Sequence, residues 1–188
     1  IKYGQMLEKR GVEVTWIPVD RAGQLDVHEV HEAIREDTAM VSVMMANNES
    51  GVIFPIEEIA AICRIKGVPF HTDAVQTPGK MKLDVKALGV DYLSLSAHKL
   101  HAPKGIGCLY VRQGLPYQPY VLGGGQESGR RGGTENVANI VAFGKAAEMA
   151  ADSLGAEVER VRALRNRMEE GIIKTIPGVT RNGAKEPR

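Results

Sequence analysis

Apolar and polar positions along this chain follow two periods, and the chain switches repeatedly between them. Residues 1–10 read as a helix that stops at Gly11. Val12, Val14 and Trp16 then alternate, which predicts a strand. Asp26-x-x-Glu29 has the form of a capping box with Asp in the Ser/Thr position. It precedes Val27, Val30, Ala33 and Ile34, which share one helix face. Met40 to Met45 is an apolar run broken by a single serine, as in a strand covered on both sides. Asn47-Asn48-Glu49-Ser50-Gly51 breaks that run. Ile56, Ile59, Ala60 and Cys63 fall at i, i+3, i+4 and i+7, so a helix is predicted there, ended by Gly67. Strands are predicted at 68–73, 90–96 and 105–112. Residues 113–135 read as loop. From about residue 136 the pattern is helical, with Val158, Val161, Leu164, Met168 and Ile172 forming a seam that ends at Pro177-Gly178.

Apolar strands alternating with amphipathic helices predict βαβ units, an α/β fold with a mainly parallel sheet flanked by helices. The organisation expected is a large domain over residues 1–150, with a linking helix and the start of a smaller domain over 151–188; Gly155 is one marker of the boundary. Hydrophobic residues make up 43% and charged residues 25%, ordinary for a soluble globular protein. With 24 Lys+Arg against 23 Asp+Glu, the charge gives no reason to expect nucleic acid or an acidic membrane surface as partner. No apolar run approaches a membrane span. Two cysteines, Cys63 and Cys108, are too few for a disulfide framework, and a reducing cytoplasm is the default compartment. The chain opens without Met and closes in a turn-like segment, so a piece of a longer protein is expected.

Three predicted strands end in polar clusters: Asn47-Asn48, Asp73 with Gln76, and Ser96-His98-Lys99. Ligands of parallel sheets sit beyond the carboxyl ends of the strands, so the three endings can face one crevice. A lysine amine and a carboxylate at neighbouring strand ends suit a cofactor that needs a Schiff base at one end and a counter-charge at the other. Pyridoxal phosphate (PLP) has those needs. Lys99 is the candidate Schiff-base lysine, and Asp73 would keep the pyridine nitrogen protonated. Asn48 and Gln76 can donate to the phenolic oxygen, and Ser96 and His98 can bind phosphate oxygens. Each has an ordinary alternative: a solvated lysine, an Asp that caps a helix, amides in turns, a histidine under a loop.

The segment Gly123 to Thr134 holds six glycines with Arg130 and Arg131, so its backbone N–H groups can approach an anion closely. Thr134 is placed to begin the long helix, where an N-terminus favours phosphate. A flexible surface loop is the plainer reading. No Gly-Lys-Ser/Thr follows the glycines, so this is not a P-loop. His71, Asp73, His98 and His101 lack zinc spacings, and Lys99 beside them opposes a cation, so no metal is expected. No Gly-x-Ser-x-Gly elbow marks a hydrolase. Cys63 and Cys108 read as packing residues.

Four segments together carry a specific resemblance. They are Met45-Ala46-Asn47-Asn48-Glu49-Ser50-Gly51, Phe70-His71-Thr72-Asp73-Ala74-Val75-Gln76, Ser96-Ala97-His98-Lys99-Leu100-His101-Ala102-Pro103-Lys104-Gly105, and Gly123 through Thr134. In order and spacing they resemble cysteine desulfurases of the NifS/IscS type, the class V aminotransferases that feed nitrogenase and housekeeping iron–sulfur cluster assembly. The resemblance implies an aspartate-aminotransferase-like fold, a homodimer, and PLP bound to Lys99. It implies Asp73 at the pyridine nitrogen, Asn48 and Gln76 near the phenolic oxygen, and Ser96 and His98 on phosphate. Thr134 would reach the phosphate of the partner subunit's cofactor. L-cysteine would be converted to L-alanine, its sulfur leaving as a persulfide on a mobile-loop cysteine for an iron–sulfur scaffold or another sulfur acceptor. The family's N-terminal phosphate loop and ring-stacking histidine have no counterpart in these residues. The same holds for its persulfide cysteine and its substrate-carboxylate arginine. The 188 residues alone are therefore expected to be inactive. A selenocysteine lyase, another class V enzyme, or a scaffold that keeps the fold without cofactor are the competing readings.

Overall fold

The computed structural model describes residues 1–188. Its centre is a four-stranded sheet of β1 (Val41–Met44), β2 (Phe70–Asp73), β3 (Tyr92–Ser96) and β4 (Gly107–Val111), in that spatial order. β1, β2 and β3 are parallel, and β4 returns antiparallel to β3. Helices α1 (Lys2–Glu8), α2 (Val27–Ala33), α3 (Ile56–Lys66) and α4 (Val85–Leu88) precede or connect the strands. A short hairpin, β5 (Gly125–Gln126) with β6 (Arg131–Gly132), leads to α5 (Val137–Thr175). The mainly parallel α/β architecture expected from the pattern is present. No helix is long and apolar enough to cross a membrane.

The connection α3 shows how local sequence fixes the scaffold. Its four spaced apolar residues, Ile56, Ile59, Ala60 and Cys63, are all buried. Glu57 and Glu58 stand in its first turn and Arg64 and Lys66 in its last, complementing the helix dipole at both ends. Gly67 takes a left-handed conformation (φ 70°), and the N–H of Val68 closes on the carbonyl of Cys63 at 2.9 Å. The chain then turns directly into β2. Val30 from α2, Ile34 just beyond its end, the α3 stripe, and Phe70 and Leu93 from the sheet form one core cluster. That core covers the face of the sheet carrying Val41, Val43, Phe70, Thr72 and Leu93. Strand alternation puts Ser42, His71, Asp73, Ser94 and Ser96 on the opposite, more open face.

The amino ends of the strands are locked by a buried carboxylate. Asp91 accepts from the backbone N–H of Phe70 at 2.9 Å and from Arg112 Nε at 2.7 Å, and it forms an ion pair with Arg112 Nη2 at 2.6 Å. β2, β3 and β4 are thereby joined at one end.

Four expectations are corrected. Residues 12–16 form no strand: no neighbouring strand offers them a ladder, and Trp16 instead lies across α1, its Nε1 donating to Glu8 at 3.1 Å. β1 is an edge strand, not covered on both sides; Ser42 is exposed and its neighbours are half-buried. The loop 113–135 contains the β5–β6 hairpin, which glycine content concealed. A side chain at Gly132 would run into the backbone of Leu122, 2.6 Å from an ideal Cβ, so that glycine is demanded by close approach. Finally, α5 starts at Val137, capped by Asn136 whose side chain accepts from the N–H of Asn139 at 3.3 Å; Thr134 lies outside it. The helix runs 39 residues, through Gly155, and buries none of them fully.

Candidate active site

Because β1, β2 and β3 are parallel, their carboxyl ends lie on one side of the sheet. That side carries all three polar clusters read from the sequence. The ladder extends past the strands: the N–H of Met45 donates to the Asp73 carbonyl at 2.8 Å, and the N–H of Ala74 to the Ser94 carbonyl at 3.1 Å. The endings are therefore held in register as they leave the sheet.

After β1, Asn47 is consumed by its own turn. Its Oδ1 accepts from the N–H groups of Glu49 and Ser50, both at 2.9 Å. This frees Asn48, which is exposed and touches only Glu49 with its side chain, at 2.9 Å. After β2, Asp73 is exposed, with Oδ1 accepting from the N–H of Val75 at 3.0 Å. The turn beyond it is pinned by Thr77, buried, whose N–H and hydroxyl both donate to the Ala74 carbonyl at 3.1 and 2.8 Å. Gln76 stands half-buried inside that turn.

After β3, residues Ala97–Leu100 form one turn of 3₁₀ helix. Ala97 and Leu100 are buried and anchor it, so His98 and Lys99 face outward to different degrees, exposed and half-buried. Ser96 Oγ lies 2.8 Å from His98 Nδ1, so these two polar groups act as a pair. The turn closes at His101, a left-handed residue (φ 62°), and the Ala97 N–H bonds the Ile106 carbonyl at 3.2 Å before β4 begins. Lys80 adds a second amine to this neighbourhood. Burial, and then the positive charge of Lys99, hold its pKa below the usual lysine value.

Asn48, Asp73, Gln76, Ser96, His98 and Lys99 thus gather at one rim of the sheet. Thr134 does not join them; it lines a separate groove with Cys108, Glu127 and Arg130, between the hairpin, β4 and α5. The groove is open, with a volume of about 1360 Å³. Of the cysteines, Cys63 is buried in α3 as expected, its thiol pushed up to about 11 by burial and by the Asp91 charge. Cys108 lies in a strand but is exposed, so it is not a core residue.

One arrangement escaped the sequence. His71 bridges three strands: Nδ1 is 2.8 Å from Ser42 Oγ on β1, and Nε2 is 2.9 Å from Ser94 Oγ on β3. Burial lowers its pKa, against the opposing pull of Asp73. The signal was present as His71 two residues before Asp73 on an alternating strand, but its partners are 29 and 23 residues away.

The donor set at the rim suits PLP: an amine, a carboxylate on the adjacent strand, two amides, and a hydroxyl–imidazole pair. The model for the aminotransferase class-V family matches residues 2–188. The chain belongs to that family. A relative named cysteine desulfurase 2 from Trichormus variabilis is 51% identical over 179 residues, covering 95% of this chain and 45% of that protein. A cysteine desulfurase IscS from Clostridium botulinum is 48% identical over 182 residues, covering 97% and 46% respectively. Among solved structures, a NifS-like protein superposes with a TM-score of 0.89 at 40% identity, over 92% of this chain and 48% of that one. DndA from Streptomyces lividans gives 0.89 at 34%, over 98% and 52%. The chain spans about half the length of the curated relatives it matches.

Proposed function

We propose that this chain supplies the cofactor-anchoring part of a PLP-dependent cysteine desulfurase, converting L-cysteine to L-alanine and passing the sulfur on as a persulfide. The observation that carries this reading is the pairing of Asp73 and Lys99 at the ends of adjacent parallel strands, with Asp73 in register with Ser94 just before the Ser96–Lys99 turn. The named relatives, all cysteine desulfurases near 50% identity, support the same chemistry.

PLP, when bound, supplies an electron sink that stabilises negative charge on the substrate carbon next to its nitrogen. The protein side follows from the residues. Lys99 Nζ would hold the cofactor covalently and would serve as the base that moves a proton at that carbon. Asp73 presents its free oxygen as the counter-charge to the pyridine N–H. Asn48 and Gln76 offer amide N–H groups to the phenolic oxygen. Ser96 and His98, already paired at 2.8 Å, present donors to a phosphate. Thr134, away from this rim, is assigned to the cofactor of a partner subunit in a homodimer. The acceptor of the sulfur is an iron–sulfur scaffold or a similar protein, the compartment is the cytoplasm, and residues 1–150 and 151–188 are parts of a large and a small domain.

The test is made on the full-length protein loaded with PLP. Lys99→Ala abolishes the visible absorbance of the lysine-bound cofactor and cysteine-dependent alanine release. Retention of both by the variant overturns the assignment. The isolated 188 residues are expected to release no alanine from cysteine; sustained release would overturn the view that further residues complete the site.

A further inference from the structure

The three strands that carry the rim are tied together one layer below it by a single side chain. His71 sits on the same face of β2 as Asp73, two residues earlier, about 7 Å down the strand. Its two ring nitrogens contact hydroxyls on both neighbouring strands, Ser42 at 2.8 Å and Ser94 at 2.9 Å. Ser42 is the register partner of His71, and Ser94 is the register partner of Asp73. The bridge therefore runs from β1, which delivers Asn48, through β2, which delivers Asp73, to β3, which delivers Ser96 and Lys99.

A face made for stability alone would fill these positions with β-branched or aromatic pairs. Here three polar side chains form a chain of directional contacts on the open face instead. Backbone ladders fix the spacing of strands but leave their relative twist soft. A planar ring hydrogen-bonded at both ends restricts that twist where the rim leaves the sheet. We propose that His71 is a positioning residue: by bridging Ser42 and Ser94 it fixes the separation of Asp73 and Lys99, and so the fit of the cofactor between them. This rests on the PLP reading of the rim.

The test uses the full-length protein, with His71→Ala, His71→Gln, Ser42→Ala and Ser94→Ala. Three quantities are read: the PLP dissociation constant, the wavelength of the visible band, and the urea midpoint of the cofactor-free protein. With the bridge gone and the rim left looser, His71→Ala is expected to bind PLP at least tenfold more weakly, with a shifted band. Each serine variant is expected to weaken PLP about fivefold, and His71→Ala should add little to the double serine variant. A lowered urea midpoint with unchanged affinity and band, in the His71 variants or, should those fail to fold, in the serine variants, overturns the proposal and leaves a structural clasp. Unchanged values of all three quantities overturn it as well. Lys99→Ala separates the two readings. If that variant keeps its visible band, the cofactor assignment itself fails; if it loses the band while His71 variants bind PLP normally, only the positioning role fails.

Discussion

Two aspartates stand at opposite ends of neighbouring strands and are treated differently by the fold. Asp91, at the amino end of β3, is nearly inaccessible, and its oxygens are taken by the Phe70 N–H and by Arg112. Asp73, at the carboxyl end of β2, is exposed, with a single contact from the Val75 N–H. Charge type and sheet are the same, so the difference lies in the partners. A carboxylate whose oxygens are filled from within closes the molecule, and one left with free oxygens is available to a ligand. The contrast extends to the neighbours: the amino end abuts the apolar core around Phe70 and Cys63, and the carboxyl end carries the polar rim.

That contrast can be broken most forcefully at Asp91. Asp91→Ala leaves the buried Phe70 N–H without an acceptor and Arg112 without its partner. It is expected to cost about 3 kcal/mol in urea unfolding, with Asp91→Asn costing less because an acceptor remains. A neutral Asp91→Ala would mean that the amino end is not locked by this residue.

A smaller effect is expected from the His71 bridge. Burial depresses its pKa in the folded chain, so the unfolded chain binds the proton more readily. The contribution to stability is complete above about pH 6.5, the ordinary histidine value, and is lost as the pH falls from there toward the folded pKa. His71→Gln should remove this component, so its urea midpoint should decline less than the wild type's on acidification from about pH 7.5 to about pH 5.5. A variant that declines as steeply as wild type would place the acid sensitivity elsewhere.

Asp73→Ala should change stability by about 0.5 kcal/mol or less, because its one contact, with the Val75 N–H, is exposed to water. The same change in the full-length protein should weaken PLP binding severely, and the divergence of the two measurements is the sharpest form of the comparison. Least visible in unfolding is the thiol chemistry. Iodoacetamide near neutral pH should modify exposed Cys108 well before Cys63, whose thiol is buried beside the Asp91 end with its pKa pushed up to about 11. Asp91→Ala should narrow that gap by easing local opening.

What could be read from residues alone follows from how local each cause is. Helix α3 was legible to its last residue because its stripe and its closing glycine are local signals. The three strand endings were legible because a polar cluster after an apolar run marks the point where a strand leaves the core. Residues 12–16 misled because a strand is a property of pairing, and alternation says nothing about whether a neighbour exists. The Asp91–Arg112 pair and the His71 bridge were missed for a related reason. Each joins residues more than 20 apart, and no period or spacing records such a meeting. The cap of α5 lies two residues beyond Thr134 because Thr134 and Asn136 are both good caps, and only the folded backbone chooses between them.

The reversal of β4 makes the rim asymmetric. β3 is the last strand to deliver its carboxyl end there, so the peptide from Ala97 to Ile106 must double back beside the lysine, stitched by its own hydrogen bond. That fold of chain lies on the β4 flank of the rim, and β1 lies on the opposite flank. On the proposed cofactor reading, this turn would border Lys99 from the β4 side, and the Asn48 turn after β1 would border it from the other.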